Sequence, residues 1–219
     1  MISLTNFAKS LVFAAVIAEI VLHYIERYRK RKQNSGHLNE VMFFTDKGVE
    51  CKEHCYRMIS CDKKSCSYFN MRRLIQLLQG AKSSLDVCMY LITLKCVTDL
   101  IIKMHRKGVK VRIIIDADMA GSTGAQVHAL RKYGVPVRMK KSPFLMHHKF
   151  AVINNHILVS GSCNWTMQAV SGNWDNIIVT SEPNLVIPFS QHFAQLWKEF
   201  SEIDYTVKGY IQGCTVQQK

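Results

Sequence analysis

The chain has 219 residues, of which 48% are hydrophobic, so it can form one packed domain with a short appendage and is not globally disordered. Only four prolines and eleven glycines are present, and no internal repeat is found, which excludes low-complexity and repeat proteins. The net charge of +13 favours a polyanionic partner over a purely solubilising surface, but it does not choose among RNA, DNA and acidic phospholipid.

The N-terminal segment is apolar and is followed directly by a basic cluster. Residues 1–25 contain an uninterrupted apolar core from Leu11 to Ala18, and six cations occur in the first 35 residues against two anions. An apolar run of about 20 residues spans a bilayer as a helix, and flanking positive charge stays on the cytosolic side. We therefore predict a transmembrane anchor with the remainder of the chain facing the cytosol. A signal peptide, a mitochondrial presequence and a buried core helix are the alternatives.

The elements that follow the anchor alternate between helix and strand. Residues 26–40 are basic and polar and predict a linker, and a domain over residues 41–219 follows. Periodicity predicts helices over Met71–Lys82, Thr93–Lys107, Gly124–Tyr133 and Asn184–Phe200. It predicts strands over Ser84–Leu91, Val109–Ile115, Val135–Met139 and Asn176–Thr180, and a hairpin with Phe150–Ile153 and His156–Ser160 around Asn154-Asn155. This pattern predicts an α/β fold with a mixed sheet flanked by helices.

The most informative stretch begins at His147 and ends at Asn164. His147 and Lys149 are two residues apart in an extended segment, so their side chains point the same way, whereas His148 points to the opposite side. The hairpin returns the chain to Gly161-Ser162-Cys163-Asn164, where a hydroxyl and an amide can donate hydrogen bonds. An imidazole, an ammonium and two neutral donors would suit a phosphate group. A basic surface strand followed by an ordinary turn is the alternative.

This stretch resembles the phospholipase D superfamily signature H-x-K-x4-D-x6-G-S-x-N. The matching positions, at the same spacing, are His147, Lys149, Gly161, Ser162 and Asn164. The apolar N-terminus, the cysteine-rich region and the single copy of the motif are similar to Zucchini-type mitochondrial phospholipase D proteins, also called the mitochondrial cardiolipin hydrolase family. The resemblance covers the whole chain and is most specific over residues 146–176.

The resemblance implies two-step catalysis through a phosphohistidine, with His147 as nucleophile and no catalytic metal. The same histidine of a second subunit would protonate the leaving group, so the resemblance also implies a homodimer. Lys149 and Asn164 would stabilise charge on the phosphate oxygens, and Ser162 would contribute to substrate binding.

Two positions beside the motif leave alternatives open. The superfamily has Asp where this chain has Asn154, which we count among the candidate catalytic residues. If the Asp only holds geometry, activity survives the change; if its charge tunes the histidine, activity falls. Asp175, counted among the candidate substrate-binding residues, either supplies the carboxylate that orients the imidazole or is a turn residue at a strand entry.

Four of the eight cysteines lie within residues 51–66, and the scattered positions of the others favour a reducing compartment. Cys51, His54, Cys61 and Cys66 form a set of four ligands compatible with tetrahedral zinc, with Cys55 as an alternative to His54. Zucchini-like proteins are similar in having a small zinc-binding insertion, so a structural zinc is expected; free thiols or a disulfide are the alternative.

Three functions follow from these features. The resemblance implies a single-strand-specific endoribonuclease at the mitochondrial outer membrane, acting in piRNA biogenesis, and the basic domain fits single-stranded RNA. A hydrolase of an anionic phospholipid such as cardiolipin is the second hypothesis, which the membrane anchor supports equally. A non-catalytic membrane scaffold is the third. A cationic groove too narrow for a duplex would favour the first, and a wide apolar pocket beside His147 the second.

Overall fold

A computed structural model describes residues 13, 16–27, 36–46, 61 and 65–200. The chain divides into two compact units, residues 1–38 and residues 39–219. In the first unit, residues 16–27 are helical with exposed side chains. No helix within the described ranges combines the length and hydrophobicity needed to cross a bilayer. The predicted anchor over residues 1–25 lies mostly outside the described residues and stays a prediction.

The second unit alternates strands and helices, as the periodicity predicts. We number its helices separately from the N-terminal helix. Its strands are β1 (Asn39–Phe44), β2 (Ser84–Met89), β3 (Lys110–Ile115), β4 (Val137–Arg138), β5 (Lys149–Ile153), β6 (Ile157–Gly161) and β7 (Asp175–Thr180). Its helices are α1 (Ser67–Gln79), α2 (Lys95–Arg106), α3 (Val127–Lys132), α4 (Met167–Ser171) and α5 (Pro183–Glu199), with a short 3₁₀ turn at Met119–Gly121.

The seven strands form one mixed sheet in the order β1-β7-β6-β5-β2-β3-β4. Strands β2, β3 and β4 are parallel, and all other neighbours are antiparallel. The predicted hairpin between β5 and β6 is confirmed. Asn154 and Asn155 are the central residues of its turn, with φ values of 55° and 51°, and the His156 N–H donates to the Ile153 carbonyl at 3.0 Å. Positive φ at both central residues is characteristic of the mirror-image turn type.

Helix α5 covers one face of the sheet over β5 and β6, where Phe150, Val152 and Leu158 pack with Phe193 in an apolar cluster. Arg112 ties this helix to the sheet. Its guanidinium lies over the rings of Phe193 and Trp197 and forms a bidentate pair, at 2.8 and 2.7 Å, with the buried carboxylate of Asp86.

Several element boundaries differ from the predictions, and three of them have a clear local reason. Helix α1 begins at Ser67 rather than Met71, because Ser67, Tyr68 and Asn70 are buried against the domain. Helix α3 begins at Val127 rather than Gly124, because Gly124 has a φ of 81° and forms a turn. Strand β4 has two residues, not five, because it pairs only with Ile113 and Ile114 of β3. His156, predicted to be a strand residue, lies in the hairpin turn.

Candidate active site

The candidate site lies at one edge of the central strands. Strand β2 ends where β5 begins, because Met89 pairs with Lys149. Strand β6 ends where β7 begins, because Gly161 pairs with Ile177. The antiparallel order therefore brings His147 and Lys149, just before and at the start of β5, to the same edge as the Gly161–Asn164 segment after β6.

Tyr90, directly after β2, forms a platform for the two motif residues that precede and begin β5. Its backbone N–H donates to the carbonyl of His148 at 2.8 Å, which extends the strand pairing by one residue. Its ring packs against the His147 ring with 4.6 Å between centroids, and the Lys149 ammonium lies 5.1 Å from its centroid. Lys149 also donates to the backbone carbonyl of His147 at 2.9 Å. The imidazole and the ammonium are thus held side by side.

The electrostatics of Lys149 reflect its half-buried position. Burial lowers the pKa of its ammonium, and the negative charge of Asp175 opposes that shift. The Lys149 ammonium and the Asp175 carboxylate therefore interact electrostatically across the site, although they form no direct ion pair within the described residues. A partly desolvated ammonium interacts more strongly with a phosphate oxygen than one in bulk water.

His148 lies on the opposite side of the segment from His147, as the alternation predicts. Its ring contacts Phe150, and its Nε2 lies 3.1 Å from Nε2 of His192 on α5. Burial and the neighbouring His192 lower the pKa of His148, which favours the neutral ring. The histidine pair thus links the motif segment to the helix that covers it.

Ser162 and Asp175 form one hydrogen-bonded unit across β6 and β7. The Ser162 hydroxyl donates to Asp175 at 2.6 Å and accepts from the backbone N–H of Asn176 at 3.1 Å. The other carboxylate oxygen accepts from Asn173 at 3.1 Å. The Ser162 hydroxyl and the Asp175 carboxylate thus stabilise the loop conformation, and Asp175 does not hydrogen-bond to His147.

The side-chain amide of Asn164, in the motif, is not fully hydrogen-bonded among the described residues. Its Oδ1 is buried and has no hydrogen-bond partner among the described residues. Buried polar groups are rarely left in that state outside functional sites. The neighbouring thiol is inert, because burial and Asp175 raise the pKa of Cys163 to about 12.

The structure does not bring Asn154 to this cluster. Asn154 lies in the turn at the far end of β5, five residues beyond Lys149, or about 16 Å at the rise of a strand. Its Oδ1 accepts from the backbone N–H groups of Lys82 and Ser83 at 2.8 and 2.9 Å, and its Nδ2 donates to the Gly80 carbonyl at 3.1 Å. The geometry makes Asn154 a tie between the hairpin and the loop before β2.

In addition to Tyr90, two positioning residues were not predicted from the sequence. Asp116 follows β3, and its buried carboxylate accepts from the backbone N–H of Met146 at 2.9 Å, which fixes the segment before His147. His192 contacts His148 from α5. Only tertiary structure brings these residues to the motif, so the sequence carries no local signal for them.

A cavity of about 480 Å³ opens beside His147, between the 140–146 loop and α5. We call it the side pocket. Half of its lining is apolar: Phe144, Leu145, Met146, Leu196 and Phe200. The other half is polar: Lys140, Ser142, His147, His148 and His192. This pocket is neither purely cationic nor purely apolar.

The predicted zinc ligands are only partly described. Cys61 and Cys66 are buried, 6% and 1% exposed, and cysteine thiolates are common zinc ligands. Cys51 and His54, and the alternative ligand Cys55, lie outside the described residues. Among the residues that the structure does describe, no three His, Cys, Asp or Glu side chains are placed to hold a metal ion.

Comparisons with known proteins agree with this geometry. Residues 74–197 match the family model "Cardiolipin synthase, PLD-like domain". A mitochondrial cardiolipin hydrolase from Danio rerio is 38% identical over 176 residues, covering 78% of this chain and 77% of that protein. One from Chlamydomonas reinhardtii is 38% identical over 169 residues, covering 75% of each chain.

Among solved structures, the phospholipase D family member Nuc from Salmonella typhimurium has a similar fold. Its TM-score is 0.59 at 22% identity, over 75% of this chain and 97% of that chain. The family model matches more than half of the sequence, and the curated relatives exceed 30% identity over more than two thirds of it. The chain therefore belongs to the phospholipase D-like family of phosphodiesterases, as the motif predicts.

Proposed function

We propose that this protein is a single-strand-specific endoribonuclease that cleaves phosphodiester bonds through a phosphohistidine, at the mitochondrial outer membrane and in piRNA biogenesis. The observation that carries the proposal is the pairing of His147 with Lys149 on the Tyr90 platform, at an exposed edge of a basic domain. An imidazole next to an ammonium can attack phosphorus while the cation stabilises the developing charge.

In the first step, a ring nitrogen of His147 bonds to phosphorus, and the bond from phosphorus to the leaving oxygen breaks. The same histidine of a second subunit donates the proton that the leaving oxygen takes up. In the second step, that histidine removes a proton from water, the water oxygen bonds to phosphorus, and the bond to His147 breaks. Lys149 and the Asn164 amide lie beside the non-bridging oxygens, and the scheme needs no catalytic metal.

The proposal requires a homodimer, since one chain supplies one motif. The described surface offers an apolar patch next to Asp175, formed by Val41, Phe43, Trp174 and Ile178, which are 56%, 61%, 74% and 49% exposed. It borders a cavity of about 720 Å³ that includes Asp175 and Asn176. Contiguous exposed apolar surface usually marks an interaction site. A second copy on this patch would lie against the site, and Phe43→Glu should shift the protein towards monomer in sedimentation.

The zinc insertion is part of the proposal as a structural element. Cys61 and Cys66, with Cys51 and His54, would hold one zinc ion that stabilises the fold and takes no part in the reaction. Metal analysis of the purified chain should find one zinc per chain. The Cys66→Ser variant should lose it.

Hydrolysis of an anionic phospholipid such as cardiolipin is the second candidate. Two observations favour it: the apolar residues that line the side pocket beside His147, and the cardiolipin hydrolase activity for which the relatives are named. The mitochondrial location is supported by those relatives, and the predicted anchor supports attachment to a membrane.

The test offers both substrates to the same purified full chain, in buffer without added divalent metal. Labelled single-stranded RNA, the matching duplex and cardiolipin vesicles are incubated with wild type and with His147→Ala. If the protein is a single-strand-specific endoribonuclease, wild type should cleave the single strand alone, or much faster than the duplex and the vesicles, and His147→Ala should not cleave it. Vesicle hydrolysis without RNA cleavage would replace it with the lipid function. Cleavage of neither by a folded dimer would support the scaffold.

A further inference from the structure

The side pocket has features that the phosphate chemistry does not use. Its loop exposes Phe144 and Leu145 by 85% and 56%, immediately before the motif. An aromatic ring exposed to that extent loses the burial that normally stabilises it, so a ligand that covers it gains binding energy. Phe144 and His147 line the same cavity and are three residues apart in the chain, so a group bound against Phe144 lies close to the motif segment.

The loop is held in place rather than free to adapt. The Met146 N–H donates to Asp116, the Met146 side chain is part of the buried core, and the Phe144 N–H donates to the Ser142 hydroxyl at 3.1 Å. The backbone that carries Phe144 is therefore anchored next to the motif segment. A ligand that stacks on the ring needs no rearrangement of this backbone.

The polar part of the lining indicates the chemistry of that ligand. Nε2 of His148 and Nε2 of His192 already lie 3.1 Å apart, and the Ser142 hydroxyl accepts from the Phe144 N–H, so the second nitrogen of each ring and the hydroxyl proton are the groups left for a ligand. An acyl chain would cover these groups without offering them hydrogen bonds, which is costly. A nucleobase has an aromatic face for Phe144 and a polar edge for them. Lys140 forms an ion pair with Glu199 at 3.9 Å, and the next residue, Lys141, adds exposed positive charge to the same loop, which favours a ligand with a phosphate backbone.

We propose that the side pocket holds the nucleobase adjacent to the scissile phosphate, with Phe144 as its stacking platform. The inference rests on the proposed ribonuclease activity and names the part of the RNA that this site recognises. A base inside a duplex is already paired and stacked, so it cannot occupy the pocket without being extruded. The pocket thereby contributes to single-strand selectivity. Stacking tolerates every base, so little sequence preference follows.

The test uses dinucleoside monophosphates, which have one scissile bond and one base on each side. Three compounds are compared: the parent and two derivatives, each lacking one base. The full-chain wild type is compared with Phe144→Ala, with Phe144→Trp, which keeps a stacking surface, and with Tyr133→Ala. Tyr133 is an exposed aromatic residue that lines a different cavity.

We expect Phe144→Ala to lower kcat/KM on the parent compound by about 5- to 100-fold, mainly through KM. Removal of one particular base should produce the same loss in wild type and no further loss in Phe144→Ala. Phe144→Trp should retain activity, and Tyr133→Ala should match wild type. Because Phe144 is exposed, all variants should keep the wild-type circular dichroism spectrum.

Three results would overturn the inference. If Phe144→Ala cleaves the parent compound like wild type, the pocket binds no base, and the ribonuclease proposal survives. If the variant instead loses hydrolysis of cardiolipin vesicles, the pocket binds lipid. If wild type cleaves neither these compounds nor longer single-stranded RNA, the proposed function and the inference fall together.

Discussion

Gly161 gives the sharpest structural prediction, because no side chain fits at its position. It ends β6 opposite Ile177, directly before Ser162. A Cβ there would lie 2.9 Å from the Asn176 carbonyl carbon, closer still to its oxygen, and 3.0 Å from the Ile177 Cα. These are backbone atoms, so no side-chain rotation relieves the overlap. In the Gly161→Ala variant, β6 and β7 must separate.

The magnitude follows from that separation. Carbon contacts are most favourable at about 3.5–4.0 Å, so the two strands must move apart by roughly 1 Å. Overpacking of this kind costs about 1–3 kcal/mol. For a domain of this size, each 1 kcal/mol lowers Tm by about 2–4 °C, so a fall of about 2–12 °C is expected. A displacement of about 1 Å within a catalytic site can reduce the rate about 100-fold. Because Ser162 and Asp175 move with these strands, kcat should fall by roughly that factor.

The assay combines thermal unfolding with kcat measured well below the Tm of the variant. Gly121→Ala is the matched control, because a Cβ at Gly121 meets nothing within 4 Å. The control should leave both quantities within error of wild type. If Gly161→Ala also left Tm and kcat unchanged, the tight approach of β6 to β7 would be refuted as a determinant of the site.

Further predictions concern residues away from the reacting atoms. Asn154→Asp keeps the acceptor for the backbone N–H groups and lies far from His147, so kcat should not change. Asn154→Ala removes that acceptor and should lower the free energy of unfolding, measured with urea, by about 1–3 kcal/mol. A loss of kcat in Asn154→Asp would support a catalytic role for this position. Arg112→Gln leaves the Asp86 carboxylate buried without its partner and should cost about 3–5 kcal/mol, whereas Lys95→Gln, at an exposed pair, should change the urea midpoint very little. Because the pKa of His148 is lowered in the folded protein, the unfolded state binds the His148 proton more readily than the folded state does. The neutral His148 ring therefore contributes to stability above pH about 6.5, and this contribution is lost as the pH falls through the pKa of His148 in the folded state. Urea midpoints at pH 7.5 and pH 5 should therefore differ less in His148→Asn than in wild type, and equal differences would contradict the shift.

Apart from β1 and α4, which were not predicted, sequence periodicity predicts the order of elements because the hydrophobic pattern that forms them is local. The β-branched run of β3 and the Asn154-Asn155 turn each determine their own conformation, and both occur where expected. Boundaries were less accurate where burial by distant segments decides them. Helix α1 extends to Ser67 because its first turn packs against β1, where the Asn70 amide donates to the Phe43 carbonyl at 2.8 Å.

The same distinction applies to the site. His147 and Lys149 share one short segment, so their common direction follows from strand alternation alone. Tyr90, Asp116 and His192 come from three other elements, and only the sheet order and the α5 packing bring them to the motif. The role expected for Asn154 rested on its place in the signature. Signature spacing gives no distance in space, and β5 separates Asn154 from the nucleophile.

The covalent intermediate tests the central claim most directly. Substrate labelled at the scissile phosphate is incubated briefly with the full chain, in parallel as RNA and as phospholipid, and the protein is denatured under alkaline conditions that preserve phosphohistidine. We predict label on wild type, removed by acid, and no label on His147→Ala. Product formation by wild type without labelled protein, or label that persists in the variant, would contradict His147 as the nucleophile.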